Sequence, residues 1–311
     1  MISRRTGLVT TAAALLTGAS APTATAASPR RAVPRPTTGA RDGAGPRGDA
    51  TSRGRLQRDV DAVLAAGATG VLAEVQTADG RTTARAGRAD RSDPRCPVPW
   101  DAYYRIGSDT KTFTAVLALQ LVGEGRLALT DTVERWLPGA VRGNGNDGRR
   151  ITVAHLLRQT SGLNDYLAVS PDAADAFTPA GYRRSRFRGT APEDQLKSAL
   201  TRPPLWLPNA EHPERERRWG YSNTNYVVAG LIIEQVTGNT WAQEIHDRVI
   251  EPLGLRHTLT PGSSSYVPAP TATAYTWFPD VGRPTRRWPP AAGRTARSSA
   301  PPTTTVSSCA R

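Results

Sequence analysis

Two stretches of this chain, residues 113–122 and 227–236, are apolar nearly all the way round. That pattern marks helices enclosed by the rest of a fold, since a surface helix keeps a polar face. Each is followed by residues suited to stopping a helix, Gly123 and Gly125 after the first and Thr237-Gly238 after the second. Upstream, Leu56, Val60, Val63 and Leu64 recur at helical spacing, which predicts an amphipathic helix over 56–66 that ends before Gly67. Residues 70–77 read as a strand, Asp79-Gly80 as a tight turn and 81–86 as the returning strand. A loop through Pro94, Pro97 and Pro99 leads to the first apolar stretch. Helix, hairpin and then helices give a mixed α/β (α+β) chain with no internal repeat.

The 311 residues carry a formal charge of +13, which would suit an anionic partner if it lay on the folded part. Residues 1–26, 27–54 and 281–311 hold +2, +4 and +6 of it, leaving +1 for 55–280. A nucleic-acid-binding domain concentrates basic charge on a folded face, so no nucleic-acid partner is expected. The two cysteines, Cys96 and Cys309, form no CxxC, and His155, His212, His246 and His257 form no HExxH frame. Neither a metal nor another cofactor is expected.

The chain opens with a short basic start through Arg4-Arg5, a small apolar run over 8–16 and a small-residue pattern at Ala24-Thr25-Ala26. This reads as a cleavable signal peptide over 1–26, by the general or the twin-arginine route. The run falls short of the roughly 20 residues that span a bilayer, and no other segment is suited to cross one. A secreted, cell-envelope location follows. Residues 27–54, rich in Pro, Gly and Arg, read as a disordered linker.

Chemistry gathers where the first apolar helix begins, at Ser108-Asp109-Thr110-Lys111. Three residues along a helix put Lys111 on the same face as Ser108, within reach of its hydroxyl. A serine hydroxyl is a poor nucleophile until a neighbouring base takes its proton. A lysine fills that role when burial and nearby cations favour its neutral form, whereas arginine stays protonated. The chain has 38 Arg and two Lys, and one of those two is Lys111. A second group, Tyr221-Ser222-Asn223, precedes the other apolar helix. Two apart on an extended turn, Tyr221 and Asn223 both project into one cleft, the phenol to relay a proton and the amide to orient Lys111 and bind substrate.

These motifs resemble the serine β-lactamase and penicillin-binding superfamily, nearest to class C β-lactamases, secreted D-alanyl-D-alanine carboxypeptidases and related esterases. The similarity spans about residues 56–260 and includes residues 133–139 (VERWLPG), Ile151-Thr152-Val153 with Leu156-Leu157, Thr160-Ser161-Gly162-Leu163 and Glu251-Pro252-Leu253-Gly254-Leu255. The resemblance implies an antiparallel sheet flanked by helices plus an all-helical lobe, with the site between them. It also implies that Ser108 forms an acyl-enzyme, that Lys111 and Tyr221 share the proton transfers, and that Asn223 binds substrate. The Ser108 amide would supply one oxyanion donor, worth roughly 3 kcal/mol when well placed. Expected partners are a small molecule or a peptidoglycan peptide, met by a monomer.

The family's third motif, His or Lys, then Thr or Ser, then Gly, does not follow Tyr221; His257-Thr258-Leu259 lacks the glycine. From 281 to 311 the composition turns to Arg, Pro, Ala, Ser and Thr, as in a disordered tail. The expectation is a hydrolase domain over 55–280, truncated of its C-terminal strands, followed over 281–311 either by out-of-frame sequence after a frameshift near 280 or by a natural low-complexity, wall-associated tail. Two functions stand: an exported serine hydrolase for D-Ala-D-Ala peptides, β-lactams or esters, or an inactive remnant or wall-binding module. Residues 170–218, polar and charged, read as a solvated insertion.

Overall fold

A computed structural model describes residues 50–78, 80–170, 178–185, 187, 189–275 and 306–308. The signal-peptide region and nearly all of the linker lie outside the described residues.

The first helix, α1 (Ala50–Ala65), begins inside the segment expected to be linker. No proline lies between Pro46 and Pro94, and Ala, Arg and Gln are good helix formers, so the helix extends upstream of its apolar stripe. It lies over the hairpin β1 (Gly70–Thr77) and β2 (Gly80–Gly87), which pair antiparallel from Gly70 opposite Gly87 to Thr77 opposite Gly80. Gly80 is therefore the first residue of β2 and not part of the turn, and Asp79 lies outside the described residues. Val60 of α1 is buried, and Gln57 donates to the Arg85 carbonyl at 3.1 Å. Gly87 has φ +74 and a Cβ there would meet the Thr69 carbonyl oxygen at 2.4 Å, so only glycine allows this close approach.

A second antiparallel sheet runs in the order β3 (Tyr103–Arg105), β7 (Val306–Ser308), β6 (Thr258–Leu259). Within the segment expected to be a tail, 306–308 thus form a strand, and the remainder of 276–311 lies outside the described residues. A two-stranded hairpin, β4 (Arg142–Gly143) with β5 (Asn146–Asp147), completes the strands among the described residues.

The helical lobe is built around α2 (Thr110–Gly123) and α8 (Asn223–Thr237). Short helices close round them: α3 (Val133–Trp136), α4 (Val153–Leu157), α5 (Tyr166–Val169), α6 (Pro179–Ser185), α7 (Pro192–Ala199) and α9 (Trp241–Ile245). Leu117, Leu121, Ile151, Leu156, Ile232, Ile233 and Ile245 form the fully buried centre. Trp241 closes it, donating its indole N–H to Thr114 Oγ1 at 3.0 Å. Full burial of each such side chain contributes about 1.5–3 kcal/mol. The expectation of all-round burial holds better for α8 than for α2, where Val116 and Leu119 are 38% and 52% exposed. That face of α2 is turned away from α8 and the core.

The charged segment 170–218 also departs from expectation. Leu196 and Ala199 of α7 are buried, and the segment after it packs on the loop at 159–163. Leu205 N–H bonds the Gly162 carbonyl at 2.8 Å and Trp206 Nε1–H the Thr160 carbonyl at 3.1 Å. A Cβ on Gly162, at φ +77, would lie 2.1 Å from the Trp206 carbonyl oxygen. A solvated insertion would make none of these contacts.

Candidate active site

Ser108 is the middle residue of one 3₁₀ turn, Gly107–Asp109, which runs from β3 into α2. Gly107 has φ +55, a conformation that lets the chain bend from strand to helix over the four residues 106–109. A Cβ there would meet nothing within 4 Å, so the demand for glycine is one of backbone conformation alone. Ser108 is left exposed at the positive end of α2. Lys111, half-buried in the first turn, reaches back with Nζ 3.2 Å from Ser108 Oγ.

The other half of the site comes from the approach to α8. Ser222 is extended, with φ −145 and ψ 123, so Tyr221 and Asn223 fall on the same side. Tyr221 OH lies 2.7 Å from Ser108 Oγ. Asn223 Oδ1 accepts from Lys111 Nζ at 2.7 Å and from Tyr221 OH at 3.2 Å. All four residues singled out by sequence therefore meet in one network. Its donors can be assigned: the lysine and phenol both donate to Asn223 and the lysine donates to Ser108, which leaves the Ser108 hydroxyl to donate to the Tyr221 oxygen. The Lys111 ammonium also lies 4.9 Å from the centre of the Tyr221 ring and 5.7 Å from that of Tyr226. Burial, followed by the charge of Tyr221, pushes the Tyr226 phenol above its usual range, and burial does the same to Tyr166.

A buried polar layer supports these residues. Gln159, at φ +62, accepts through Oε1 from the Ser222 N–H at 3.0 Å and from Asn225 Nδ2 at 2.6 Å. Ser161 Oγ donates to Asn225 Oδ1, and the Gly220 N–H bonds the Gln159 carbonyl at 3.1 Å. The Asn164 carbonyl accepts from Ser222 Oγ at 3.1 Å and from Thr224 Oγ1 at 2.7 Å. Asn223 Nδ2 donates to Asp165 Oδ2 at 2.9 Å. Every one of these contacts joins the loop at 159–165 to the turn at 220–225. The one sequence cue was a run of small and amide-bearing residues in both loops.

Among the described residues, His246, Asp247 and Glu251 bring three ligand-type atoms within 4.8 Å of one another, all exposed. A π-helical turn aligns them, the Glu251 N–H bonding the His246 carbonyl, an arrangement no sequence spacing announced. Cys96 is exposed, with no disulfide among the described residues.

A family model described as Beta-lactamase matches residues 56–311. Among solved structures, a D-stereospecific amidohydrolase from Streptomyces sp. superposes with a TM-score of 0.69 and 37% identity, covering 82% of this chain and 69% of that one. A D-amino acid amidase from Ochrobactrum anthropi SV3 superposes at 0.64 with 24% identity, covering 82% and 66%, and supports the fold. Protein flp of Staphylococcus aureus strain MW2 is 32% identical over 155 residues, which is 50% of this chain and 27% of that protein. Penicillin-binding protein 4 of Amycolatopsis lactamdurans is 28% identical over 164 residues, 52% and 37% of the two chains. The chain thus spans between about a quarter and two fifths of the length of these curated relatives.

Proposed function

Because the chain belongs to the beta-lactamase family, we propose that it is a serine hydrolase working through an acyl-enzyme on Ser108. The observation that carries this reading is the position of Ser108 Oγ, 2.7 Å from the Tyr221 hydroxyl and 3.2 Å from Lys111 Nζ, which share one amide oxygen. With one member of the pair deprotonated, Lys111 as the neutral amine or Tyr221 as the phenolate, Ser108 Oγ bonds to a substrate carbonyl carbon while its proton passes to that member. The C–N or C–O bond then breaks as that proton goes to the leaving nitrogen or oxygen. Water repeats both steps on the ester, releasing the acid and restoring the Ser108 hydroxyl. Positioned proton transfer of this kind contributes about 10²–10⁴-fold. Asn223 holds both proton-handling groups against Ser108 and offers its amide edge to substrate. The Ser108 amide, at the positive end of α2, is one donor to the developing oxyanion.

The proposed substrates are D-Ala-D-Ala peptides, β-lactams or simple esters. The amidase and amidohydrolase neighbours add amides of D-amino acids to that set. The proposed setting is the cell envelope, reached through residues 1–26, with the chain acting as a monomer. Among the described residues no helix is long and apolar enough to cross a membrane. The test is a panel of D-phenylalanine amide, its L enantiomer, a D-alanyl-D-alanine peptide, benzylpenicillin and p-nitrophenyl acetate. Turnover of at least one that disappears in Ser108→Ala is expected. Equal turnover by parent and Ser108→Ala overturns the reading.

A further inference from the structure

We propose that Asp165 is a positioning residue for this site, setting which edge of the Asn223 amide faces Lys111 and Tyr221; the inference rests on Ser108 being an activated nucleophile. Asp165 lies between the loop at 159–164 and α5, half-buried beside the turn that carries Tyr221 and Asn223. Its two carboxylate oxygens have separate duties. Oδ1 accepts from the Leu167 N–H at 3.0 Å and caps α5, while Oδ2 accepts from Asn223 Nδ2 at 2.9 Å.

That second bond fixes the polarity of the amide. With Nδ2 committed to Asp165, Oδ1 faces the two donors, Lys111 Nζ and Tyr221 OH. A 180° turn of the amide would set its NH₂ against an ammonium and a phenol, and its oxygen against a carboxylate. Lys111 would then lose the partner that holds it 3.2 Å from Ser108 Oγ. The position also demands a group that only accepts. An asparagine in place of Asp165 has one oxygen and one NH₂, so it would place N–H against N–H at either Leu167 or Asn223. A serine there can still cap α5 but is too short to serve both partners. The hydrogen bonds of the Asp165 carboxylate go to Leu167 and Asn223 and not to Ser108, Lys111 or Tyr221, so its effect on the site passes through Asn223.

The measurement is the first-turnover rate of p-nitrophenol release from p-nitrophenyl acetate by the full chain, each variant read at its own pH optimum. Circular dichroism melting is recorded alongside. Asp165→Ser and Asp165→Asn are expected to acylate at least about tenfold more slowly while remaining folded, the size of effect seen when a supporting partner of a site ligand is lost. The double variant Asp165→Asn with Asn223→Asp reverses the polarity of the contact. The amide introduced by the first change would donate to the carboxylate introduced by the second, which still faces Lys111 and Tyr221 with an acceptor. The double variant is expected to acylate faster than Asp165→Asn and faster than Asn223→Asp alone. A folded Asp165→Ser with the parent rate, or a double variant whose losses simply multiply, overturns the role of Asp165. If Asp165→Ser does not fold, the comparison of the double variant with its two singles decides alone. A parent that shows no Ser108-dependent release overturns the hydrolase reading, and the Asp165 proposal with it.

Discussion

Replacing Gln159 tests whether the two halves of the site are held together as described. Its Oε1 is the acceptor for two donors buried from solvent: the N–H of Ser222, 1% exposed, and Nδ2 of Asn225, 0% exposed. Gln159→Leu keeps the volume, excludes water and orphans both donors. Each buried donor left unpaired costs about 1–3 kcal/mol, so the loss should be about 3 kcal/mol. For a domain of this size that lowers Tm by roughly 6–12 °C. The backbone contributes separately, because Gln159 sits at φ +62. Gln159→Ala and Gln159→Gly delete the same acceptor, yet glycine avoids the cost of about 1–2 kcal/mol that a side chain incurs at positive φ. The glycine variant should therefore be the more stable of the two by about 1 kcal/mol. Urea unfolding followed by circular dichroism, with slopes compared, measures both differences. A Gln159→Leu loss under about 1 kcal/mol, or an alanine variant more stable than the glycine variant, would refute the reasoning. Since Ser222 separates Tyr221 from Asn223, the same substitution should slow acylation as well.

Other perturbations have equally definite outcomes. Gly162→Ala would place a methyl 2.1 Å from the Trp206 carbonyl oxygen at φ +77, and should cost about 3 kcal/mol by thermal melting; a wild-type Tm would contradict the packing of 205–206 on that loop. Lys111→Arg keeps a basic side chain but one that stays protonated and so cannot accept a proton, and should lower the acylation rate at least about 100-fold, with Tm little changed. Tyr221→Phe removes the phenol 2.7 Å from Ser108 Oγ and should cost about 10²–10⁴-fold in acylation; parity with the parent would assign proton transfer to Lys111 alone. Stability should fall on acidification. Arg218 holds the Glu216 carboxyl at about 2 against an ordinary 4.5, and hydrogen bonds from Ser92 hold Asp90 at about 2 against 3.8. These carboxyls ionise more readily folded than unfolded, so their stabilisation is complete above about pH 4.5 and lost as pH falls towards 2. The fully buried His155, pushed down by desolvation, adds a loss that begins as pH drops below 6.5. A midpoint in urea unchanged between about pH 7 and 4 would contradict the His155 contribution, and one unchanged between about 4.5 and 2.5 that of the carboxylates.

The reactive centre was readable in the sequence because its parts are local. Ser108 and Lys111 are one helical turn apart, and Tyr221 and Asn223 are two residues apart on an extended turn. What holds those pairs in place was not readable. Gln159 meets Ser222 and Asn225 across 63 and 66 residues, and Asp165 meets Asn223 across 58. Hydrogen bonds between distant loops leave no periodicity, and glutamine or aspartate in a polar loop looks like any solvated residue. The segment after α7 misled for a related reason. Its anchors are backbone N–H and carbonyl groups, as at Leu205 and Gly162, which composition does not record. Uniform apolarity in α2 likewise could not say which face the fold would leave open, and Val116 and Leu119 are on it.

The central claim is that Ser108 is the acylated nucleophile. Intact mass spectrometry after incubation with benzylpenicillin or p-nitrophenyl acetate, followed by peptide mapping, tests it most directly. The account predicts one acyl group on the parent, located on Ser108, and none on Ser108→Ala. A folded parent that gains no acyl group with either reagent, or gains one elsewhere, would contradict the account and leave the inactive, wall-binding alternative.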